Sequence, residues 1–347
     1  MSAYRARAKH QRLSHLACVW QHSDCHTIIC VPAARNVASN MVHASSTSTA
    51  QALSIGWREF ALLLLLAAIW SSSFMFIKVG VATIPPLTLS AGRLVLAAIM
   101  LTVFAVYGRY TIPMTLKIWG VCLFIGLFGN ALPYTLISWG ELRIESGLAA
   151  ILMGIVPITT AVLAHLFAHD EPLTVRRLIG IFVSLAGIII LVGWQSLTGL
   201  YGDVSYELAV LLGALCYAVT NIFVRRHVYI PGRVLAAGST LAGAFIMLPM
   251  ALAYERPWSL SPSLESLGAM IMLGLLPTAV AALIYLRLIK ATGATFVSQV
   301  NYLVPALGVA WGMALLAERP SWRALAALTL ILIGIALVNT RRRTKQQ

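Results

Sequence analysis

The chain has 347 residues, of which 59% are hydrophobic and only 10% are charged, and its mean hydropathy is +0.85. Soluble domains carry about 25% charged residues, so this composition excludes an ordinary water-soluble globule and predicts a surface that faces lipid. The net charge is +14, but the basic residues lie in short clusters between apolar runs. That arrangement is typical of membrane topology and does not indicate nucleic-acid binding.

Residues 1–55 differ from the rest of the chain, because they are polar and end in a Ser/Thr-rich stretch. Their cysteines, Cys18, Cys25 and Cys30, lie among scattered histidines. The spacing matches no structural zinc site, and no apolar core of a signal peptide precedes a cleavage site. We therefore expect residues 1–55 to be a disordered N-terminal extension. The alternative is that residues 1–40 are an upstream addition and that Met41 is the true start.

Ten apolar segments follow, each near the ~20 residues that a membrane-spanning helix needs. Helices are expected, because a helix satisfies its own backbone hydrogen bonds in lipid. The fold class predicted is therefore an all-α integral membrane protein with ten transmembrane helices. The predicted spans are 60–80, 86–107, 116–138, 146–168, 176–194, 206–225, 234–254, 266–288, 293–316 and 322–340.

The two halves of the chain repeat each other at an offset of about 147 residues. "AAIWSSSFMFIK" at 67–78 aligns with "ALCYAVTNIFVR" at 214–225, and Pro157 aligns with Pro305. Each copy holds five helices, so the second copy enters the membrane the opposite way up, which is typical of transporters. We predict a first repeat at 56–194, a linker at 195–204, a second repeat at 205–340 and a basic tail at 341–347.

The basic residues predict the orientation of these helices. With the N-terminus in the cytoplasm, most Lys and Arg residues after residue 55 lie on cytoplasmic loops, including Arg109, Arg176, Arg177 and the run at 341–343. The positive-inside rule then places both termini in the cytoplasm of a multi-pass inner-membrane protein. Loops on the side of the membrane opposite the cytoplasm are called outer loops.

Specific motifs give the chain a family resemblance over residues 57–340. They include "WSSSF" at 70–74, Lys78, the Pro85-Pro86 pair and Arg93. Further matching positions are Gly147, Pro157, Glu171, Gly180, Gly187, Tyr302, Pro305, Glu318 and Gly334. On these residues the chain resembles the EamA family of the drug/metabolite transporter superfamily. The resemblance implies a carrier for amino acids or other small metabolites, whose cavity is lined mostly by helices 1–4 and 6–9.

Arg93 is the first candidate for substrate binding. It lies seven residues beyond Pro86, roughly 10 Å along a helix at 1.5 Å per residue. Ionisable residues at such depth usually face a cavity or a partner, although a long side chain can also reach the headgroups. The position aligned with Arg93 is Thr240, so the fold itself does not require a cation there. We expect the guanidinium to hold an anionic group of the substrate.

Other polar residues near the predicted helix centres are further candidates for substrate binding, with helix-packing hydrogen bonds as the alternative. They are Trp70, Ser72, Ser73, Asn130, Tyr134, Tyr217, Asn221, Gln299 and Tyr302. Pro157 and Pro305 free backbone carbonyls and are candidates for gating, or they merely kink their helices. Glu171 and Glu318 are each expected to stabilise the N-terminus of the helix that follows.

No acidic residue falls in the middle of a predicted helix, which disfavours a substrate that is only a lipophilic cation. No phosphate-binding loop motif is present, so ATP is not expected as the energy source. We predict a secondary active transporter that moves small polar metabolites or amino acids by alternating access, with export the expected direction. The alternatives are a pore or scaffold and a membrane enzyme. We expect no catalytic site, no metal and no cofactor. The expected partners are a small-molecule substrate and the lipid bilayer, and the expected assembly is a monomer or homodimer.

Overall fold

Long apolar helices dominate the computed structural model of the chain, which describes residues 16–17, 31–32, 56–108, 115–168, 174–192, 204–227 and 229–339. Ten helical stretches follow one another in the described residues. They are α1 (Trp57–Gly80), α2 (Pro86–Tyr107), α3 (Leu116–Gly140), α4 (Ser146–Met153 with Val156–Ala168), α5 (Val175–Val192), α6 (Val204–Arg226), α7 (Gly232–Tyr254), α8 (Leu264–Thr292), α9 (Ala294–Val297 with Val300–Leu315) and α10 (Trp322–Asn339).

The N-terminal segment contributes two short strands, β1 (Leu16–Ala17) and β2 (Val31–Pro32), which pair antiparallel. The rest of residues 1–55 lies outside the described part of the chain. The expectations of a disordered extension and of a start at Met41 therefore concern residues that the structure does not describe. The same holds for most of the predicted linker at 195–204 and for the basic tail at 341–347.

Seven of the described helices, α1–α4 and α6–α8, are long and apolar enough to cross a membrane. In α9 and α10 the apolar stretches Val300–Leu315 and Trp322–Val338 are shorter. Large apolar side chains such as Phe104, Phe182 and Phe245 are exposed on the outside of the bundle. In water they would be costly, whereas in lipid they are at no disadvantage.

The helical irregularities occur at equivalent positions of the two halves. A π-helical stretch interrupts α3 at Gly126–Ala131, and another interrupts α8 at Gly274–Val280. Both α4 and α9 are also broken, at residues 154–155 and 298–299, and the offset of 147 brings these breaks to within about three residues of each other. Because unrelated helices would not share such defects, they support the repeat that the sequence predicts.

The two prolines predicted to act in gating lie at different positions relative to these breaks. Pro157 is the second residue of the segment Val156–Ala168, where its missing N–H costs no intrahelical bond. Pro305 lies inside the segment Val300–Leu315, several residues after the break. The break in α9 is therefore not located at its proline.

The helices of the two halves interleave. The main contacts join α5 with α10, α2 with α7, α1 with α8 and α9, and α6 with α3 and α4. Exchange of the two halves maps each of these pairs either onto itself or onto another pair of the set, as a pseudo-two-fold axis requires. At the α5–α10 crossing, a methyl group added to Gly180 would lie 2.8 Å from the carbonyl oxygen of Gly334, so glycine permits this close approach.

Candidate functional site

Arg93 points into the helix bundle. Pro85 and Pro86 begin α2, because a proline fits the first turn of a helix, and Arg93 lies two turns further along. Its side chain is only 5% exposed. The guanidinium Nε donates a hydrogen bond of 2.7 Å to Thr278 Oγ1, and its Cζ lies 3.7 Å from the centre of the Tyr134 ring. This arrangement is a cation–π contact combined with a buried hydrogen bond.

Four helices, two from each repeat, build the surroundings of Arg93. Tyr134 lies on α3 and is buried in an apolar cluster. Tyr217 of α6 also packs against this cluster. Thr278 lies in the π-helical stretch of α8, where its hydroxyl also donates to the carbonyl oxygen of Leu273 at 2.8 Å. Stretches of this kind frequently occur at functional sites, because they turn side chains out of the regular helical register.

The guanidinium of Arg93 keeps donors for a further partner. Among the residues that the structure describes, its one hydrogen bond is the one from Nε to Thr278. A guanidinium presents five N–H donors in a planar fork that matches a carboxylate. The group is therefore positioned by Tyr134 and Thr278 and is able to bind an anion.

Several other predicted site residues contact a neighbouring helix or lie along α1. Trp70 packs against Tyr285 with ring centres 5.5 Å apart, and the Ser72 hydroxyl donates to the Ile69 carbonyl within α1. Ser73 is half-buried on the same helix. In the π-helical stretch of α3, Asn130 Nδ2 lies 3.4 Å from Ser239 Oγ, a long hydrogen bond.

The structure does not bring the remaining predicted residues to Arg93. Asn221 is exposed, and its Nδ2 lies 3.4 Å from Thr160 Oγ1. Gln299 is exposed in the break of α9. Tyr302 donates a 3.3 Å hydrogen bond to the carbonyl oxygen of Ile335, so its hydroxyl faces α10.

The end of the bundle that the sequence predicts to be outer is tied by two carboxylates of the second repeat. Glu255, at the end of α7, accepts hydrogen bonds from the backbone N–H groups of Leu87 and Thr88 at 3.0 and 2.6 Å. Glu318 accepts from the backbone N–H groups of Ser146 and Gly147 at 2.8 and 3.0 Å. Each carboxylate thus satisfies the N-terminus of a helix of the first repeat. Glu318 does stabilise a helix start, but it is the start of α4 and not that of the following α10.

A cavity of about 230 Å³ lies beside Glu318. Side chains of α4, α9 and α10 line it, including those of Leu148, Val309 and Ala324, with Arg319 at its rim. Glu171, the other glutamate with a predicted capping role, lies outside the described residues.

Lys78 and Glu141 meet at the same end. The Lys78 ammonium donates 2.7 Å hydrogen bonds to the backbone carbonyl oxygens of Glu141 and Ile144, next to the C-terminus of α3. Glu141 is fully buried, although it follows α3 in a connection between helices. Burial raises the pKa of the Glu141 carboxyl well above its ordinary value, against the opposing effect of Lys78.

Sequence reasoning missed Thr278 and Glu141. A signal for Thr278 existed, because the repeat aligns Gly126 with Gly274 and so aligns the candidate Asn130 with Thr278. Glu141 gave no such signal, since an acid just beyond a predicted helix end is ordinarily exposed to water. In the described part of the chain, no three His, Cys, Asp or Glu residues form a group that could hold a metal ion.

The interleaved repeats and the buried polar cluster define a two-repeat helical membrane protein of the kind found among transporters. The EamA-like transporter family model matches residues 57–193 and 204–340, and the chain belongs to this family. The predicted family, and the predicted fold of ten helices in two inverted repeats, are thereby confirmed.

Relatives of the chain carry transporter names. The "Uncharacterized inner membrane transporter YedA" of Escherichia coli (strain K12) is 29% identical over 81% of this chain and 90% of that protein. The "Probable terminal-alkyne amino-acid exporter" of Streptantibioticus cattleyicolor is 26% identical over 80% and 92%. The "Probable amino-acid metabolite efflux pump" of Salmonella typhimurium is 28% identical over 79% and 92%.

A solved structure titled "Crystal structure of protein" has the same fold, with a TM-score of 0.59 and 19% identity, and covers 81% of this chain and 97% of that one. Membership of a transporter family supports the expectation of a transporter and not an enzyme.

Proposed function

We propose that the protein is a secondary carrier that exports an amino acid or another small metabolite with an anionic group across the inner membrane by alternating access. The observation on which this depends is the buried Arg93 guanidinium, which Tyr134 and Thr278 hold while only its Nε is hydrogen-bonded to a described residue. Two relatives are named as an exporter and an efflux pump of amino-acid compounds. Those names support the substrate class and the direction proposed for this chain.

The cluster around Arg93 joins helices of both repeats, which suits a carrier. If the halves exchange conformations, a ligand held between α2, α3, α6 and α8 is opened first to one side and then to the other. The positive-inside rule supports cytoplasmic termini, and epitope accessibility at both ends in sealed cells would test that orientation.

Thermal unfolding in the presence of candidate ligands tests the proposal. A ligand that binds only the folded state stabilises it, by about 2.7 kcal/mol at a hundredfold excess over Kd. Amino acids with a free carboxylate should raise the unfolding temperature, and their uncharged amide derivatives should not. The shift should be lost in Arg93→Gln and kept in Arg143→Gln, a matched change of an exposed arginine. If no carboxylate stabilises the protein, or if Arg93→Gln responds like the parent, this substrate class is wrong.

The second candidate function is a pore. Flux through a pore should keep rising with substrate concentration. The flux of a carrier must saturate, because each cycle passes through one binding site.

A further inference from the structure

Glu141 has a buried carboxyl that forms no hydrogen bond with the described part of the chain. Its side chain has no exposed surface, and neither Oε1 nor Oε2 has a hydrogen-bond partner among the described residues. A buried carboxylate anion without donors is costly, because it loses its hydration and receives nothing in exchange. The neutral carboxylic acid carries a much smaller penalty. The structure at this position therefore suits the protonated form.

The charged groups around Glu141 come from four elements. Lys78 lies on α1, Arg93 on α2 and Glu318 between α9 and α10, and each acts on the Glu141 carboxyl electrostatically. In its own connection the exposed Glu145 interacts with Lys78 and Glu318. The Lys78 ammonium donates to the backbone carbonyls of Glu141 and Ile144, and the carboxyl oxygens of Glu141 receive no hydrogen bond from a described residue.

The neighbouring glutamates are held differently. Both oxygens of Glu318 accept backbone N–H groups at the start of α4, and both oxygens of Glu255 do the same at the start of α2. Each of these two carboxyl groups thus has a donor for both of its oxygens. Unlike Glu255 and Glu318, Glu141 receives no such hydrogen bonds from the described residues, so its environment favours a bound proton.

We propose that Glu141 is a proton-binding site, loaded from the aqueous phase at the outer end of the carrier, whose occupation is required for that end to close. This inference rests on the proposed function, because it assumes that the outer end opens during a transport cycle. When the end opens, water reaches the carboxyl, and the proton leaves a carboxyl oxygen for bulk water. When it closes, one proton is taken up from the same side. Closure after substrate release then consumes an outer proton.

The sign of the pH dependence follows from this linkage. The closed state binds one proton more than the open state, so rising pH favours the open state. For a single linked proton the ratio of closed to open protein changes by at most tenfold per pH unit. Glu141→Gln replaces the acid by a neutral group of the same shape and should hold the outer end closed at every pH.

Infrared spectroscopy of the full chain in lipid tests whether the proton is present. The band of a protonated carboxyl should be seen in the wild type at neutral pH and should be lost in Glu141→Gln. It should persist in Glu265→Gln, which changes an exposed acid at the start of α8. Identical carboxyl bands in the wild type and Glu141→Gln would mean that Glu141 is ionised and would overturn the proposal.

Labelling of a buried position at the same end tests the link to closure. Ser146 is fully buried beside Glu318, so a thiol placed there by Ser146→Cys, with the five native cysteines replaced, reacts with a maleimide only when the end opens. The labelling rate, divided by that of the Glu141→Gln version, should rise towards tenfold per pH unit. A ratio that is independent of pH would contradict the link. Neither measurement uses a substrate, so failure of the substrate class and failure of the proton site are distinguished.

Discussion

A buried guanidinium needs partners, and Arg93 has two that fix its position without exhausting its donors. The Tyr134 ring covers one face of the group and the Thr278 hydroxyl holds Nε. A cation over an aromatic ring is attracted by about 0.5–2 kcal/mol, the more so when both are away from water. The ring thus pays part of the cost of burying the charge and orients the remaining N–H groups.

Tyr134→Leu should weaken binding of a carboxylate ligand by about 0.5–2 kcal/mol, because the guanidinium loses its orienting ring. Tyr134→Phe keeps the ring and should bind nearly as well as the parent. Titration calorimetry with a ligand found by thermal unfolding measures the effect, with the exposed Tyr107→Leu as control. Equal affinities of Tyr134→Leu and the wild type would contradict a role of the ring in positioning Arg93.

Single residues were predicted unevenly from the sequence. Arg93 is a candidate because its charge stands out in an apolar run and the aligned position of the second repeat, Thr240, is uncharged. Glu141 is not indicated by the sequence, because its neighbours Lys78 and Glu318 lie far away along the chain. Gln299, Asn221 and Tyr302 are polar like the others, and only the packing reveals which neighbour each one faces.

At the scale of elements, the hydropathy pattern predicts the helices well and their interiors poorly. The predicted spans 86–107 and 146–168 agree with α2 and with the outer bounds of α4. The π-helical stretches at Gly126–Ala131 and Gly274–Val280 were not predicted, because one extra residue in a turn leaves apolar composition unchanged. Yet one of these stretches supplies Thr278, so an irregular position contributes to the candidate site.

The α5–α10 contact gives a prediction for packing. Gly180→Ala should lower the free energy of unfolding by about 1–3 kcal/mol, because the added methyl group would lie 2.8 Å from the Gly334 carbonyl oxygen and force the helices apart. Unfolding in detergent measures the change.

Gly268→Ala is the matched control for this variant. It lies in α8 with no atom within 4 Å of the added methyl group, and it should be neutral or stabilising by up to about 1 kcal/mol. If both variants are equally stable, the two helices are not in the contact described.

At the scale of the whole molecule, hydrogen bonds between the two repeats tie the predicted outer end. Besides Glu255 and Glu318, the backbone N–H of Ser263 donates to Thr83 Oγ1 at 3.0 Å, and Ser266 Oγ donates to the Val79 carbonyl at 2.8 Å. A carrier must break such ties once in every cycle. Their number favours a closed outer end in the state described.

Thr83→Cys combined with Ser263→Cys, in a chain without the native cysteines, should form a disulfide across the α1–α2 and α7–α8 connections. The cross-link should abolish transport, because the outer end can no longer open, and a reductant should restore it. Each single cysteine variant serves as control. Full activity of a completely cross-linked protein would show that this end does not open in the cycle.

Flux into proteoliposomes tests most directly whether Arg93 binds an anionic substrate inside a carrier. Uptake of the amino acids that stabilise the protein should saturate with concentration in the wild type and in Arg143→Gln. In Arg93→Gln it should fall at least about tenfold, the loss expected when a charge-assisted hydrogen bond worth about 1.5–3 kcal/mol is removed. Flux that rises without saturation, or saturable flux of equal size in Arg93→Gln, would contradict the account.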